Sequence, residues 1–235
     1  MTSEASVKGK IILDLCGGTG AWSRPYVEAG YDVRLVTLPE QDVRYYHPPK
    51  HVYGILAAPP CTDFCVSGVR WWPEKDRTKG LQEALSVVEA CLRIIKQARP
   101  AFWALENPVG RLRRFIGAPK WYFQPYEFGD PWTKKTCIWG EHVIPDKSPV
   151  EPKWALRGYQ TGSKLPQKTD ASLLANKTSY PSWTGGTPSG KLGVIDHPEY
   201  LPPDWIHKLP PSKDLAMLRS ITPPGFAKAF MEANK

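Results

Sequence analysis

The sequence predicts an α/β fold with a mostly parallel sheet and helices on both faces. Two observations carry this. Over the first 140 residues, short apolar runs alternate with helical patterns, the order that sets parallel strands side by side with crossover helices between them. One of those patterns, residues 79–97, has apolar side chains at Leu81, Ala84, Leu85, Val88, Leu92 and Ile95, which is the spacing of one helix face.

Taken in chain order, Ile11-Ile12-Leu13-Asp14-Leu15 predicts the first strand, and residues 22–29 the helix that follows a glycine turn. Residues 32–38 predict a second strand and the apolar run 52–58 a third, buried one. After the long helix, 101–105 is the next strand and 136–139 a later one. From about 141 to 212 the chain turns rich in Pro, Gly, Ser, Thr and Lys, with Trp154, Trp183 and Trp205 scattered through it. Such a stretch reads either as a disordered insert or as loops whose aromatics pack onto something. Apolar helical patterns at 214–219 and 225–233 close the chain, separated by Thr222-Pro223-Pro224. The expected organisation is an α/β core over 1–140, a small irregular recognition region over 141–212, and a helical segment over 213–235 that returns to the core.

With 31 Lys+Arg against 23 Asp+Glu, the chain of 235 residues carries a net charge of +8. That surplus favours a polyanionic partner, with a merely basic soluble enzyme as the alternative. The five cysteines are odd in number and sit mostly in apolar runs, so they read as reduced thiols rather than a disulfide framework. Cys61 and Cys65 have no nearby His, and no metal site is expected. Residues 1–10 lack an apolar signal core, and no run reaches membrane-spanning length. A cytoplasmic protein without a membrane partner is expected.

The chemistry concentrates where strands end. Pro59-Pro60-Cys61 leaves the third strand, and two prolines there give up two backbone donors, which marks Cys61 as a candidate nucleophile. Asp14-Leu15-Cys16-Gly17-Gly18-Thr19-Gly20 forms a strand-to-helix turn whose glycines let a ligand approach the backbone. A tight structural turn is the other reading. Glu106-Asn107-Pro108 ends the strand over 101–105. Asn107 reads equally as a helix cap, while Glu106 would face Cys61 if the two strands adjoin. A thiol and a carboxylic acid in one cleft suit addition to an electron-poor ring. Lys134 and Lys135 are the nearby cations, either in the site or as an exposed turn pair. Arg70 and Trp71 follow the Cys61 loop, and Arg111, Arg113 and Arg114 follow Glu106. Both clusters could meet phosphates and stack on unpaired bases, or form a solvated face.

In this order the pieces resemble a DNA cytosine-5 methyltransferase, in a short, phage-like form with a reduced target-recognition region. The resemblance covers about residues 10–140 and 214–232. It implies a Rossmann-like S-adenosylmethionine-dependent methyltransferase fold. It also implies a cofactor site at Asp14, Cys16 (where Phe is usual), Gly17, Gly18, Gly20, Ala21 and Trp22. Asp42, Pro59, Ser220 and Thr222 would complete that site. Leu38 and Pro39 stand where an acidic residue for the ribose is usual, with Glu40 next to them. The implied catalytic set is Cys61, Glu106 and Asn107, with Lys134 and Lys135 inside Trp132-Thr133-Lys134-Lys135-Thr136, which replaces a Gln-x-Arg-x-Arg motif. Cys61 would attack cytosine carbon 6, Glu106 would engage nitrogen 3, and carbon 5 would take the methyl group. The implied partner is cytosine-containing DNA in a bacterial or phage-infected cell. Alternatives are a nucleotide or RNA substrate, or a silent relative that binds DNA. A cysteine hydrolase would need a histidine beside Cys61.

Overall fold

The computed structural model describes residues 7–130, 132–150 and 219–235. Six strands form one sheet in the order β2-β1-β3-β4-β6-β5. β1 (Ile11–Leu15), β2 (Asp32–Val36), β3 (Val52–Ala57) and β4 (Phe102–Pro108) are parallel. β6 (Thr136–Trp139) runs antiparallel to β4, and β5 (Trp121–Phe123) antiparallel to β6.

Every residue of β1 is buried, because parallel strands are covered on both faces. Ile11, Leu13 and Leu15 join Ile55, Ala57 and Leu105 against one helix, α3 (Gly80–Ala98), through Val88, Cys91, Ile94 and Ile95. Ile12, Leu56, Phe102 and Ala104 face the other way, onto an aromatic cluster held by α1 (Arg24–Glu28) and the C-terminal helix. Helices therefore cover both faces, as the sequence predicts.

The boundaries move where side-chain chemistry overrides pattern. The helix expected over 22–29 is the shorter α1, because residues 17–23 are used in turns that bury Trp22 and Ser23. The strand expected over 101–105 continues as β4 to Pro108, with Glu106, Asn107 and Pro108 pairing with Ile138, Cys137 and Thr136. Asn107 is thus a strand residue and not a helix cap; the next helix, α4, is Arg113–Ile116. A short helix not expected from the sequence, α2 (Trp72–Arg77), precedes α3. β5 was not expected either.

The last helix, α5 (Pro224–Ala233), begins with proline at its first turn, where the missing N–H has no partner to lose. Its Phe226 stacks on Phe123 at 3.9 Å and 12°. Residues 148 and 150 donate backbone N–H groups to Glu127 and Tyr126. The remainder of the expected recognition region, 151–212, and most of the helix expected at 214–219 lie outside the described residues. No helix among the described residues is long and apolar enough to cross a membrane.

Candidate active site

β1 and β3 are neighbours whose onward connections leave in opposite directions, to β2 on one side and β4 on the other. Open α/β sheets bind ligands outside the carboxyl ends of strands at such a switch point. A pocket with about 530 Å³ of unfilled space, its open mouth included, lies there.

β1 supplies its floor. Asp14 is fully buried, and its Oδ2 accepts the Ser23 hydroxyl at 2.5 Å. Its Oδ1 has no partner among the described residues. Burial raises the carboxyl to about 6, against the lowering effect of the Ser23 hydrogen bonds. A Cβ on Gly17 would fall 2.3 Å from the Asp14 Cγ, so only glycine closes this turn. Cys16 takes a left-handed φ of 58° while its N–H bonds the Val36 carbonyl at 2.8 Å. Trp22 forms one wall, its Nε1 buried and without a partner among the described residues.

β3 supplies the nucleophile. Ala58 N–H bonds the Leu15 carbonyl at 2.9 Å, which ties the strand exits together. After the two prolines, Phe64 and Cys65 N–H groups both bond the Cys61 carbonyl at 2.9 Å, and Phe64 is fully buried beneath the turn. The Cys61 thiol is pushed up, first by its hydrogen bond to Cys65 and then by burial and the negative charges of Cys65 and Glu106, against the Lys134 cation. Cys65 is drawn down by that same bond, with help from Ser67, whose Oγ is 3.1 Å from Cys65 Sγ, and from the Gly68 N–H.

β4 and the turn before β6 supply a buried acid and a buried cation. Glu106 and Lys134 are 8% and 6% exposed, and Lys134 Nζ lies 3.9 Å from Glu106 Oε1. Burial pushes the Glu106 carboxyl up and Lys134 pulls it back.

Of the residues the sequence singles out, Asp14, Cys16, Gly17, Gly18, Ala21 and Trp22 line this one pocket from the β1 side. Pro59, Cys61, Glu106, Lys134, Ser220 and Thr222 line it from the other. Gly20, with φ 69°, shapes the turn without lining the pocket. Asn107 lies behind it, its Nδ2 donating to the Pro59 carbonyl at 2.9 Å. Asp42 lies off the pocket and is paired with Arg44. Lys135 points away, with Nζ 5.2 Å from the centre of the Tyr122 ring. Arg70 and Trp71 are exposed, Arg70 lying over the Trp71 ring at 5.0 Å. Arg113 and Arg114 are exposed on α4. Arg111 corrects the expectation of a phosphate contact: it is 4% exposed and its guanidinium is turned into the protein.

Sequence reasoning passed over Thr19, Ala58, Pro60, Pro108 and Arg219, which also line the pocket. Pro60 and Pro108 adjoin residues that were singled out. Arg219 carried no local signal. Cys65 stands four residues after Cys61 in the sequence, where only its poor fit as a metal ligand is legible. Among the described residues, no group of three or more His, Cys, Asp or Glu is placed to hold a metal ion. His142 is engaged elsewhere, accepting the Trp121 Nε1–H at 2.8 Å and lying 3.2 Å from the Trp103 carbonyl.

No family model matches the chain, and no curated protein matches it. Among solved structures it is similar to a DNA modification methyltransferase encoded within a prophage (E. coli), with 17% identity and a TM-score of 0.44 over 69% of this chain and 58% of that one. It is also similar to the Entamoeba histolytica methyltransferase EhMeth, with 9% identity and a TM-score of 0.42 over 72% of this chain and 65% of that one. The chain spans less than two thirds of the length of either.

Proposed function

We propose that this protein transfers a methyl group from S-adenosylmethionine to carbon 5 of cytosine in DNA, with Cys61 as covalent nucleophile. One observation carries the reading: a thiol, a buried carboxylic acid and a buried ammonium converge with a glycine turn at the switch point of the sheet.

Cytosine is unreactive at carbon 5 until carbon 6 carries a nucleophile. Cys61 Sγ forms that bond as the thiolate, its proton having passed to solvent, and the Lys134 cation favours that ionised form. Glu106, held towards its protonated form by burial, donates to ring nitrogen 3 and draws electron density from the ring as Sγ adds. Lys134, 3.9 Å away, opposes that rise and limits how far burial lifts the acid. Once carbon 5 carries the methyl group, a base such as solvent takes its proton, the carbon–sulfur bond breaks to release the Cys61 thiolate, and nitrogen 3 returns its proton to Glu106.

The residues at the β1 turn fit S-adenosylmethionine. Asp14 presents an unpartnered carboxylate oxygen suited to an ammonium group, and Trp22 an unpartnered N–H and an aromatic face. Gly18, where a Cβ would meet nothing within 4 Å, leaves backbone open to a ligand, and Ser220 and Thr222 close the pocket from the C-terminal segment. When bound there, S-adenosylmethionine supplies the electrophilic methyl group. Arg70, Trp71, Arg113 and Arg114 would meet the DNA around the pocket, and reaching a stacked base requires flipping it out at a few kcal/mol.

DNA containing 5-fluorocytosine tests this directly, because fluorine at carbon 5 cannot leave as a proton. Wild-type protein with S-adenosylmethionine should form a denaturation-resistant adduct, and Cys61→Ala should form none. An adduct in Cys61→Ala, or none in the wild type, overturns the reading.

A further inference from the structure

Cys61 lies beyond the end of β3 in a loop, so something other than regular secondary structure must fix it. Three loop carbonyls that bracket it each accept a side-chain donor. Asn107 Nδ2 bonds the Pro59 carbonyl at 2.9 Å, Lys75 Nζ the Thr62 carbonyl at 2.8 Å, and Arg111 Nε the Asp63 carbonyl at 2.8 Å. Arg111 does more than the other two. Its backbone N–H bonds the Phe64 carbonyl at 2.8 Å, and its Nη1 bonds Asp76 of α2 at 2.7 Å. The guanidinium lies over the Trp72 ring at 4.7 Å. Burying a guanidinium is costly unless it is paired, and here the pairing is divided between the loop and α2.

We propose that Arg111 is a positioning residue for Cys61, a clamp that joins the loop carrying the thiol to α2 and holds both in register with β4. The inference rests on the methyl-transfer reading only for its kinetic consequence. The segment held at its far end by Asp76 also carries Trp72 and follows the exposed Arg70-Trp71 pair. A displacement of that outer turn is therefore transmitted through Arg111 to the loop of the nucleophile. Lys75 reinforces the same link through Asp63 at 2.9 Å. Gly110 permits it: a Cβ there would fall 1.9 Å from the Phe64 carbonyl oxygen, closing the approach on which the Arg111 N–H bond depends.

The test compares Arg111→Met, Arg111→Lys, Asp76→Asn and Asp76→Ala with the wild type. Two readouts matter: methyl transfer into DNA, and alkylation of Cys61 by iodoacetamide located by mass spectrometry. Arg111→Met should lower kcat about tenfold or more while S-adenosylmethionine Kd stays within about twofold, since a small misplacement of a reacting atom acts on rate before ligand affinity. Cys61 alkylation should accelerate about threefold or more as the loop opens locally. Asp76→Asn and Asp76→Ala, which keep the Asp63 bond, should move both readouts in the same direction by less. Arg111→Lys should recover part of the rate. Unchanged kcat and alkylation in Arg111→Met overturn the proposal, and so does a parallel loss of S-adenosylmethionine binding. If Arg111→Met does not fold, wild-type behaviour of both Asp76 variants overturns it. If the wild type transfers no methyl group, the proposed function fails, while the alkylation comparison still decides the role of Arg111.

Discussion

Asp14 is a buried carboxylate with one oxygen satisfied by Ser23 and the other without a partner among the described residues. Its folded-state value of about 6 stands above the ordinary 3.8, so the folded protein holds the proton more tightly than the unfolded chain does. The contribution of Asp14 is therefore fully present below about pH 4 and is lost as pH rises through about 6, after which ionised Asp14 destabilises the ligand-free protein by about 3 kcal/mol. Asp14→Asn keeps an acceptor for Ser23 and removes the charge. Urea melts should find it more stable than the wild type by about that amount at pH 8, and equal near pH 4. The same variant should bind S-adenosylmethionine more weakly, and a stability difference independent of pH would remove the burial argument. Glu106 offers a complementary contrast. Glu106→Ala should lose roughly 10²–10⁴-fold in rate, the usual worth of a positioned acid. Glu106→Gln keeps a donor towards ring nitrogen 3 and should lose less; equal loss in the two would mean that proton donation to the ring is not what Glu106 supplies.

The segment that closes the pocket, 219–222, leads into α5, and α5 is fastened by aromatic packing. Phe226 stacks on Phe123 and touches Trp22, Phe128 and Phe230. Phe226→Ala should destabilise by about 3–5 kcal/mol in denaturant melts, the range for a fully buried aromatic. It should also weaken S-adenosylmethionine binding, because Thr222 lies two residues before α5 and follows its position. β1, β3 and α3 were legible in the sequence because burial and periodicity agree along their whole length. β5 was not, since Trp121-Tyr122-Phe123 is three residues long and exists through its pairing with β6. The polar Glu-Asn-Pro at 106–108 looked like the end of a strand. It continues because Glu106 faces the pocket and Asn107 finds the Pro59 carbonyl. The placing of Cys61, Glu106 and Asp14 at one end of the sheet followed from strand ends alone. Lys134 and Lys135 could not be separated that way, as consecutive residues entering a strand point to opposite sides and only the fold says which side holds the acid. Arg111 was read as a surface cation because charge is all a sequence displays; its burial depends on Asp76 and the Asp63 carbonyl, 35 and 48 residues away.

For the molecule as a whole, the net charge of +8 sets the expectation of a polyanion partner, and the structure divides the arginines that follow the Cys61 loop and β4 into two kinds. Arg70, Arg113 and Arg114 are exposed, whereas Arg111 is not. Exposed arginines that neutralise phosphates release counterions, and log K should then fall with log salt by about 0.9 for each contact. Replacing Arg70, Arg113 and Arg114 together by Ala should reduce the slope for DNA binding by up to about 2.7 and leave S-adenosylmethionine affinity unchanged. Arg111→Met should leave that slope where it is while lowering the rate, because a buried guanidinium displaces no counterions. Fluorescence titrations of labelled DNA at several salt concentrations separate the two roles in one protein. A slope that drops for Arg111→Met but not for the triple variant would reverse the assignment, moving the phosphate contacts inward and leaving α4 a solvated face.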